Sequence, residues 1–599
     1  MNQLRHLLPY YTPYRRELIT GLTLTVVSTA ITSVIPWFLR LAIDALGAGK
    51  PVSEVWRLAA NIVAVAVFAG FLRYAMREIL NGVSRRIEYD LRNDLFEHLT
   101  RLDASWYASN RTGDIMARLT NDLSAVRMAA GPAIMYLANT IAGAVFALVF
   151  MLRIDPLLTA LALLPMVALP VIMARMGGAV HRRFDAVQEY FSTLTTHAQE
   201  NFTGTRIVRA YRQESAEIAR FGALNDEYMK RNMSLARLYG TMHPMFALLA
   251  GIAGVVVLGL GGMLVLRGKI SVGSFVAFGL YLNILSWPLI ALGWVVNLFQ
   301  RGNASMARLM EILNARSMLD EPVAEESVHL PSVTGGRSIE FRNAGFHYPT
   351  APGREPRWIL RGVSFVVPAG STLGVVGATG SGKTSLMDLI PRLYDPQEGE
   401  ILIDGVPIRS LPLHELRREI GFVPQESLLF SDTIGANLAY GANDPDGVAS
   451  AVATAQLVET IESFPGRHET LLGERGINLS GGQKQRASLA RALARRPSIV
   501  LLDDALSAVD THTEAEILRA LRGALTARTA IIASHRVSAI RDAGWIIVLD
   551  EGRIVEQGRH DDLMTSEGRY WTLLRTQQLV ESIEGADDVG LAMQAATDE

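Results

Sequence analysis

The sequence predicts an α-helical, membrane-embedded half followed by a soluble α/β half. Three observations predict it. A chain of 599 residues exceeds what one hydrophobic core organises, and roughly 150 residues per domain allows up to about four domains. Apolar residues make up 49% of it, mean hydropathy is +0.21, and the apolar residues concentrate before residue 300. Beyond residue 338 the pattern changes to short apolar strands, helical runs and Gly turns.

Hydropathy predicts six spans, at about 17–46, 56–80, 127–152, 156–176, 243–267 and 272–299, each near the ~20 apolar residues that cross a bilayer. The first run is too long for a signal-peptide core and carries no A-x-A cleavage site, so it reads as a retained helix. The links around Lys50, Asp155 and Lys269 are short, whereas 81–126 and 177–242 are long, polar and helix-permissive. Arg85, Arg86, Arg92, Arg101, Arg111, Arg118 and Arg127 crowd the first long link, and Arg182, Arg183, Arg206, Arg209, Lys230 and Arg237 the second. The positive-inside rule therefore puts both long links, the N-terminus and the soluble half in the cytoplasm, which makes this a multi-pass protein of the plasma or inner membrane.

Charges inside spans can mark substrate paths, but Arg40, Asp44, Arg73, Arg77 and Glu78 sit near predicted span ends, where snorkelling keeps their heads wet. They are not read as substrate ligands. The chain has no cysteine, which excludes disulfides, thiolate metal sites and Cys nucleophiles. Net charge is -2 and no Lys/Arg block forms a stripe, so no nucleic-acid partner is expected.

Domain organisation follows: a membrane domain over 1–313, an acidic linker with two Pro and a Gly pair over 314–338, a soluble domain over 339–575, and an acidic tail over 576–599. The soluble domain opens on IEFRNAGFHY, a strand-like alternation.

Its first chemical signal is Gly377, Ala378, Thr379, Gly380, Ser381, Gly382, Lys383 and Thr384, between the apolar strand Leu373 to Val376 and a helical run opened by Ser385. Glycines let backbone N–H groups turn inward around phosphates, Lys383 reaches the β- and γ-phosphates, and Thr384 offers a hydroxyl to Mg²⁺. The helix N-terminus adds the positive end of its dipole. The second signal is the apolar run Ile499 to Leu502 ending in Asp503, a buried parallel strand with a carboxylate at its C-terminal end, where open α/β sheets bind ligands. Asp503 is the expected Mg²⁺ ligand. Together the two signals predict a P-loop NTPase domain.

With Leu479-Ser480-Gly481-Gly482-Gln483 lying between these signals, the chain resembles the ATP-binding cassette (ABC) family over nearly its whole length, specifically exporters with a transmembrane domain fused ahead of the nucleotide-binding domain. The resemblance implies that Gln425 in GFVPQ senses Mg²⁺ and the attacking water. It further implies that Tyr348 in FHYP stacks on adenine, although the insertion Pro349 to Trp358 lengthens the gap to the phosphate loop, and that His535 contacts the γ-phosphate. Ser507, Ala508 and Asp510 then match the loop at the dimer seam, and Glu474 in LLGERG the motif coupling nucleotide state to the membrane helices. It implies that a phosphate loop of one chain faces Ser480, Gly481, Gly482 and Gln483 of another, so the chain must pair with a second half-transporter. TGDIMARLTND, with Gly113, Asp114, Arg118 and Asp122, and ENFTGTRIVRAY, with Glu200, Gly204 and Arg209, resemble the segments that dock onto nucleotide-binding domains.

Asp504 departs from the family pattern, in which a Glu follows the Mg²⁺ ligand and polarises the attacking water. Aspartate withdraws the carboxylate by one methylene, and a misplacement of about 1 Å can cost on the order of 10²-fold in rate. The expectation is a chain that binds ATP and Mg²⁺ but hydrolyses slowly at its own site, as the degenerate half of a heterodimeric exporter of hydrophobic or amphipathic small molecules, lipids or peptides. The alternatives are a homodimer in which Asp504 serves as base, or an ATP-gated channel or regulatory membrane protein.

Overall fold

The computed structural model describes residues 3–322, 327–350, 353, 355–442, 444–473, 476 and 478–579. The chain divides into two compact units, one of residues 1–100 and 112–315 and one of 101–111 and 316–599.

The first unit is all helical. Helices α1 (Arg15–Ser33) and α2 (Ile35–Gly47) meet at Val34, where Pro36 enters the second helix at a position that needs no N–H. They are followed by α3 (Val52–Arg101). In the other unit α4 (Ala104–Ser109) follows. Back in the first unit come α5 (Ile134–Ile154), α6 (Pro156–Thr203), α7 (Thr205–Ala210), α8 (Glu214–Val256) and α9 (Val272–Leu313).

The turns away from the long links are sharp because they carry their own caps. Asp155 accepts from the Leu158 N–H at 2.7 Å with Pro156 opening α6, and Ser271 accepts from the Ser274 N–H at 3.0 Å to open α9. Four helical stretches are long and apolar enough to cross a membrane: Arg15–Gly47, Val52–Arg101, Thr112–Ile154 and Ala247–Leu266. The fourth and sixth expected spans coincide with helices α6 and α9, whose apolar stretches among the described residues are Pro156–Pro165 and Val272–Leu285.

Packing inside this unit is anchored by Tyr281, which is fully buried. Its ring stacks on Phe150 with centroids 5.1 Å apart, and its hydroxyl donates to the Ser33 carbonyl at 2.9 Å. One side chain thus joins α1, α5 and α9, and satisfying the buried hydroxyl avoids a cost of roughly 1–3 kcal/mol.

The second unit is a three-layer α/β domain. A sheet ordered β2-β1-β4-β5 (β1 Ile339–Phe346, β2 Leu360–Val367, β4 Glu398–Ile403, β5 Val406–Pro407) is antiparallel. The other sheet runs β10-β9-β3-β8-β7-β6 (β3 Thr372–Val376, β6 Ile420–Val423, β7 Ile499–Asp503, β8 Thr529–Ser534, β9 Trp545–Asp550, β10 Arg553–Gly558). Its strands are parallel except for the edge strand β10. Every residue of β7 is buried, which explains its unbroken apolar run, since helices cover both faces of a parallel sheet. Phe341 stacks on Phe365 at 4.5 Å between β1 and β2.

Two differences from the sequence expectations concern connections. Of the linker, Leu330 is buried in the soluble core, its N–H donating to Glu415 at 2.8 Å, and Arg337 bridges Asp404 and Glu419. The connector is therefore pinned over its second half. Helical structure also runs on through residues 569–579, beyond the expected domain end at 575. Glu474, much of the 349–358 insertion and the tail from 580 lie outside the described residues.

Candidate nucleotide site

The parallel sheet dictates where the site forms. Strands β3, β8, β7 and β6 are consecutive neighbours, so the segments leaving their C-terminal ends converge along one edge. In order these are the loop from Gly377 to Thr384, His535, the Asp503-Asp504 pair and Gln425. The register pairs Val376 with Ser534, Asp503 with Ala533 and Leu502 with Val423.

The loop after β3 needs glycine once for its conformation and once for a close approach. Gly382 has φ 104°, and a Cβ at Gly377 would lie 2.2 Å from the Leu549 carbonyl. The loop opens α10 (Lys383–Leu389). Lys383 is buried, and its ammonium donates to the Gly377 and Ala378 carbonyls at 2.8 and 3.1 Å. Burial pulls that ammonium below the ordinary lysine range, with Asp504 and Asp503 opposing. Thr379 and Gly380 form the tip of the loop.

Burial raises the Asp503 carboxyl above its usual range. The nearby Thr384 hydroxyl and Lys383 lower it, while Asp504 adds repulsion. Neither Asp503 oxygen, nor the Ser381 hydroxyl, has a well-formed hydrogen bond among the described residues, although all are buried. Polar atoms buried without partners beside a lysine-bearing loop fit a bound phosphate and cation. The residues present are therefore suited to Mg²⁺ with a nucleotide, held through Thr384 and Asp503, where the ion would offset phosphate charge.

Asp504 is held differently from its neighbour. It takes φ 44° at the end of β7, its N–H donating to the Ala533 carbonyl at 2.9 Å. One carboxylate oxygen accepts the His535 backbone N–H at 3.0 Å and faces its Nδ1 at 2.9 Å. A carboxylate can only accept, so Nδ1 carries the proton, and Nε2 of the neutral ring is an acceptor.

Tyr348 follows β1 and packs edge-on against Phe346 and Tyr394. Its hydroxyl lies 3.0 Å from that of Ser385, on the helix after the phosphate loop. The aromatic thus borders the loop despite the intervening insertion. Gln425 is exposed two residues past β6 and makes no hydrogen bond among the described residues.

Ser480 caps helix α11 (Gly481–Ala494) in a reciprocal pair: its hydroxyl accepts the Gln483 N–H at 3.3 Å, and the Gln483 amide oxygen accepts the Ser480 N–H at 2.9 Å. Gly481 and Gly482 form its first turn, and a Cβ on Gly482 would lie 2.7 Å from the Ala508 carbonyl. Within this one chain the Ser480 turn is a cap, with Ser480 itself exposed.

Two contributors escaped the sequence reading. Gln485 on α11 donates to Ser507 at 2.9 Å and accepts the Ala508 N–H at 2.8 Å, tying the Ser480 helix to the loop after Asp504. No sequence signal marks it. Asp388 stands four residues after Thr384 on the same helix face, a spacing that could have found it. Burial, with Asp503 nearby, raises its carboxyl to about 6.

Several charges of the first expected docking segment are engaged within the membrane unit itself. Asp114 and Glu311 flank Arg118 at 2.9 Å each, and buried Asp122 is bonded by Ser305 and Arg308 of α9, all within the membrane unit. Burial of Asp122 against a paired guanidinium is what a solvated-face reading could not foresee. The preceding residues, Arg101–Arg111, belong to the nucleotide-binding unit instead. In the second segment Gly204 separates α6 from α7, and Phe202, Ile207 and Tyr211 there are 80%, 66% and 73% exposed.

A helical membrane unit followed by a three-layer domain with a phosphate loop, a strand-end carboxylate and a capped Ser-Gly-Gly-Gln turn defines a membrane transporter coupled to an ATPase. Family models agree. Residues 18–289 match the ABC transporter transmembrane region and 360–507 the ABC transporter domain. The chain is 37% identical to the "Probable multidrug resistance ABC transporter ATP-binding/permease protein YheI" of Bacillus subtilis (strain 168), covering 92% of this chain and 93% of that protein. It is 32% identical to the "ATP-dependent lipid A-core flippase" of Syntrophus aciditrophicus (strain SB), over 96% and 95%. A bacterial Atm1-family ABC exporter, solved with ATP bound, superposes with a TM-score of 0.74 at 29% identity, over 94% of this chain and 98% of that one. The chain belongs to the ABC transporter family. It is a multi-pass membrane protein of exporter type, with an ATP-binding domain on the cytoplasmic side.

Proposed function

We propose that the chain is one half of a dimeric ATP-driven exporter, paired with a different chain, and that its own nucleotide site binds ATP with Mg²⁺ but turns it over slowly. The observation that carries this reading is the engagement of Asp504 by His535. A general base must reach the water it polarises. The shorter aspartate instead spends one oxygen on a backbone N–H and an imidazole, so it orients His535 rather than a nucleophile. His535 then presents its Nε2 toward a γ-phosphate, with Asp504 fixing the ring through Nδ1.

The competent site of the pair combines Ser480, Gly481, Gly482 and Gln483 of this chain with the partner's phosphate loop and Glu. Tyr348 offers an aromatic face for the base, the loop from Gly377 to Ser385 holds the phosphates, and Gln425 lies beside the cation. ATP-dependent closure of the two domains switches the membrane helices from inward- to outward-facing. The exposed Phe202, Ile207 and Tyr211 supply an apolar docking corner for a nucleotide-binding domain. Cargo is a hydrophobic or amphipathic molecule taken from the cytoplasm or inner leaflet, in keeping with relatives named for multidrug resistance and lipid A-core flipping.

Purification from the native host with mass analysis of the complex tests the assembly. The expected result is a second chain of similar size with Glu at the position of Asp504. A complex holding only this chain, whose fast ATPase is abolished by Asp504→Asn, overturns the reading.

A further inference from the structure

We infer that the membrane unit holds a binding site for the anionic head group of an amphiphile, built around Arg73 and Arg77. A cavity of about 250 Å³ opens between α1, α3 and α5. Arg73 and Arg77 stand four residues apart, on one face of α3. Arg73 donates to the Thr32 hydroxyl at 3.0 Å, and across the cavity the Thr29 hydroxyl donates to Asn139 at 2.9 Å. Met76 and Met135 supply an apolar wall.

Among the described residues, no Asp or Glu lines this cavity and neither arginine makes an ion pair. Where the helices of the same unit pack charged groups together, arginines do find carboxylates: Arg85 and Arg92 pair with Glu88, Arg118 with Asp114 and Arg308 with Asp122. Two guanidinium groups opposed only by hydroxyls and an amide leave a net positive site with donors unspent, which is the chemistry that takes a phosphate or carboxylate.

Depth points to an amphiphile. At 1.5 Å per residue, Arg73 lies about 32 Å along α3 from Val52, and Asn139 about 22 Å along α5 from Ile154. Against a hydrocarbon core of about 30 Å, the cavity belongs to the cytoplasmic half of the bilayer, with the arginines at its inner boundary. Snorkelling alone would turn both heads to the interface. Arg73 instead bonds inward to Thr32. The methionines beside the cations then receive the tail of a molecule whose head the cations hold.

The site rests on the export reading only in that its ligand is taken as cargo, so the test is run without nucleotide. Binding of radiolabelled lysophosphatidic acid to the purified full-length complex is compared with lysophosphatidylcholine of the same chain length. The expected result is a preference of about tenfold or more for the phosphate head, lost in the Arg73→Gln/Arg77→Gln double variant and largely kept in Arg73→Lys/Arg77→Lys. Equal affinity for the two head groups in the unaltered protein overturns the proposal. An unaltered preference in the glutamine variant, with melting unchanged, also overturns it. Displacement by inorganic phosphate at sub-millimolar concentration assigns the site to a soluble anion and overturns the amphiphile. None of these outcomes bears on Asp504.

Discussion

The nucleotide edge and the membrane cavity are both lined by charged side chains, and they treat charge in opposite ways. At the sheet edge, Lys383 lies on loop carbonyls and Asp504 on His535, so most groups are held, while neither oxygen of Asp503 has a well-formed hydrogen bond among the described residues. In the cavity, Arg73 and Arg77 face only neutral groups. A buried carboxylate beside a lysine asks for a cation and phosphates; guanidiniums without a counter-charge ask for an anion. The contrast teaches that the two ligands are read from what each site leaves unsatisfied.

Breaking one side while sparing the other sharpens that comparison. The largest effect is expected from Lys383→Ala, which should weaken ATP binding by about 10- to 100-fold, as loss of a charge-assisted contact does. Amphiphile binding should stay unchanged. Equilibrium binding of a fluorescent ATP analogue measures the first; equal weakening of both ligands would show that the two regions are not separable in the resting protein.

A smaller effect is expected at the capped turn. Ser480→Ala removes one half of the reciprocal pair with Gln483 and should destabilise α11 by about 1 kcal/mol, read as a fall of a few degrees in the melting transition of the ATP-binding domain. Ser480→Asp retains a capping oxygen and should restore that transition.

The smallest effect concerns Asp388. Its carboxyl is raised to about 6 in the fold, so the folded state binds this proton more tightly than the unfolded chain. That contribution to stability is present at low pH and is lost as pH rises through about 6. In nucleotide-free protein, Asp388→Asn should therefore melt a few degrees above the parent at pH 7.5 and close to it at pH 4.5. A gain of equal size at both pH values would mean that repulsion from ionised Asp388 is not the cause.

How much was legible in the sequence follows the same divide. The loop from Gly377 to Thr384 could be read directly because eight consecutive residues make one cradle, and Asp503 because a buried strand precedes it. The Asp504 to His535 bond joins residues 31 apart and depends on β7 lying beside β8, a sheet order that no local spacing encodes. Asp122 was legible as part of a segment resembling a docking element, but its burial against Ser305 and Arg308, far along the chain, was not. Arg73 and Arg77 are span-end charges in the hydropathy window and remain so in depth; that α3 continues to Arg101 and that both arginines line a cavity with α1 and α5 is what the window does not show. Contiguous chemistry is visible in one dimension; chemistry assembled across helices is not.

The central claim is that Asp504 serves His535 and not the attacking water. Its most direct test is the steady-state ATPase of the purified chain alone, unaltered and as Asp504→Glu. If the missing methylene is what silences the site, the unaltered chain is slow and the glutamate variant gains at least tenfold, toward about 10²-fold. A fast unaltered chain, slowed by Asp504→Glu, would contradict it.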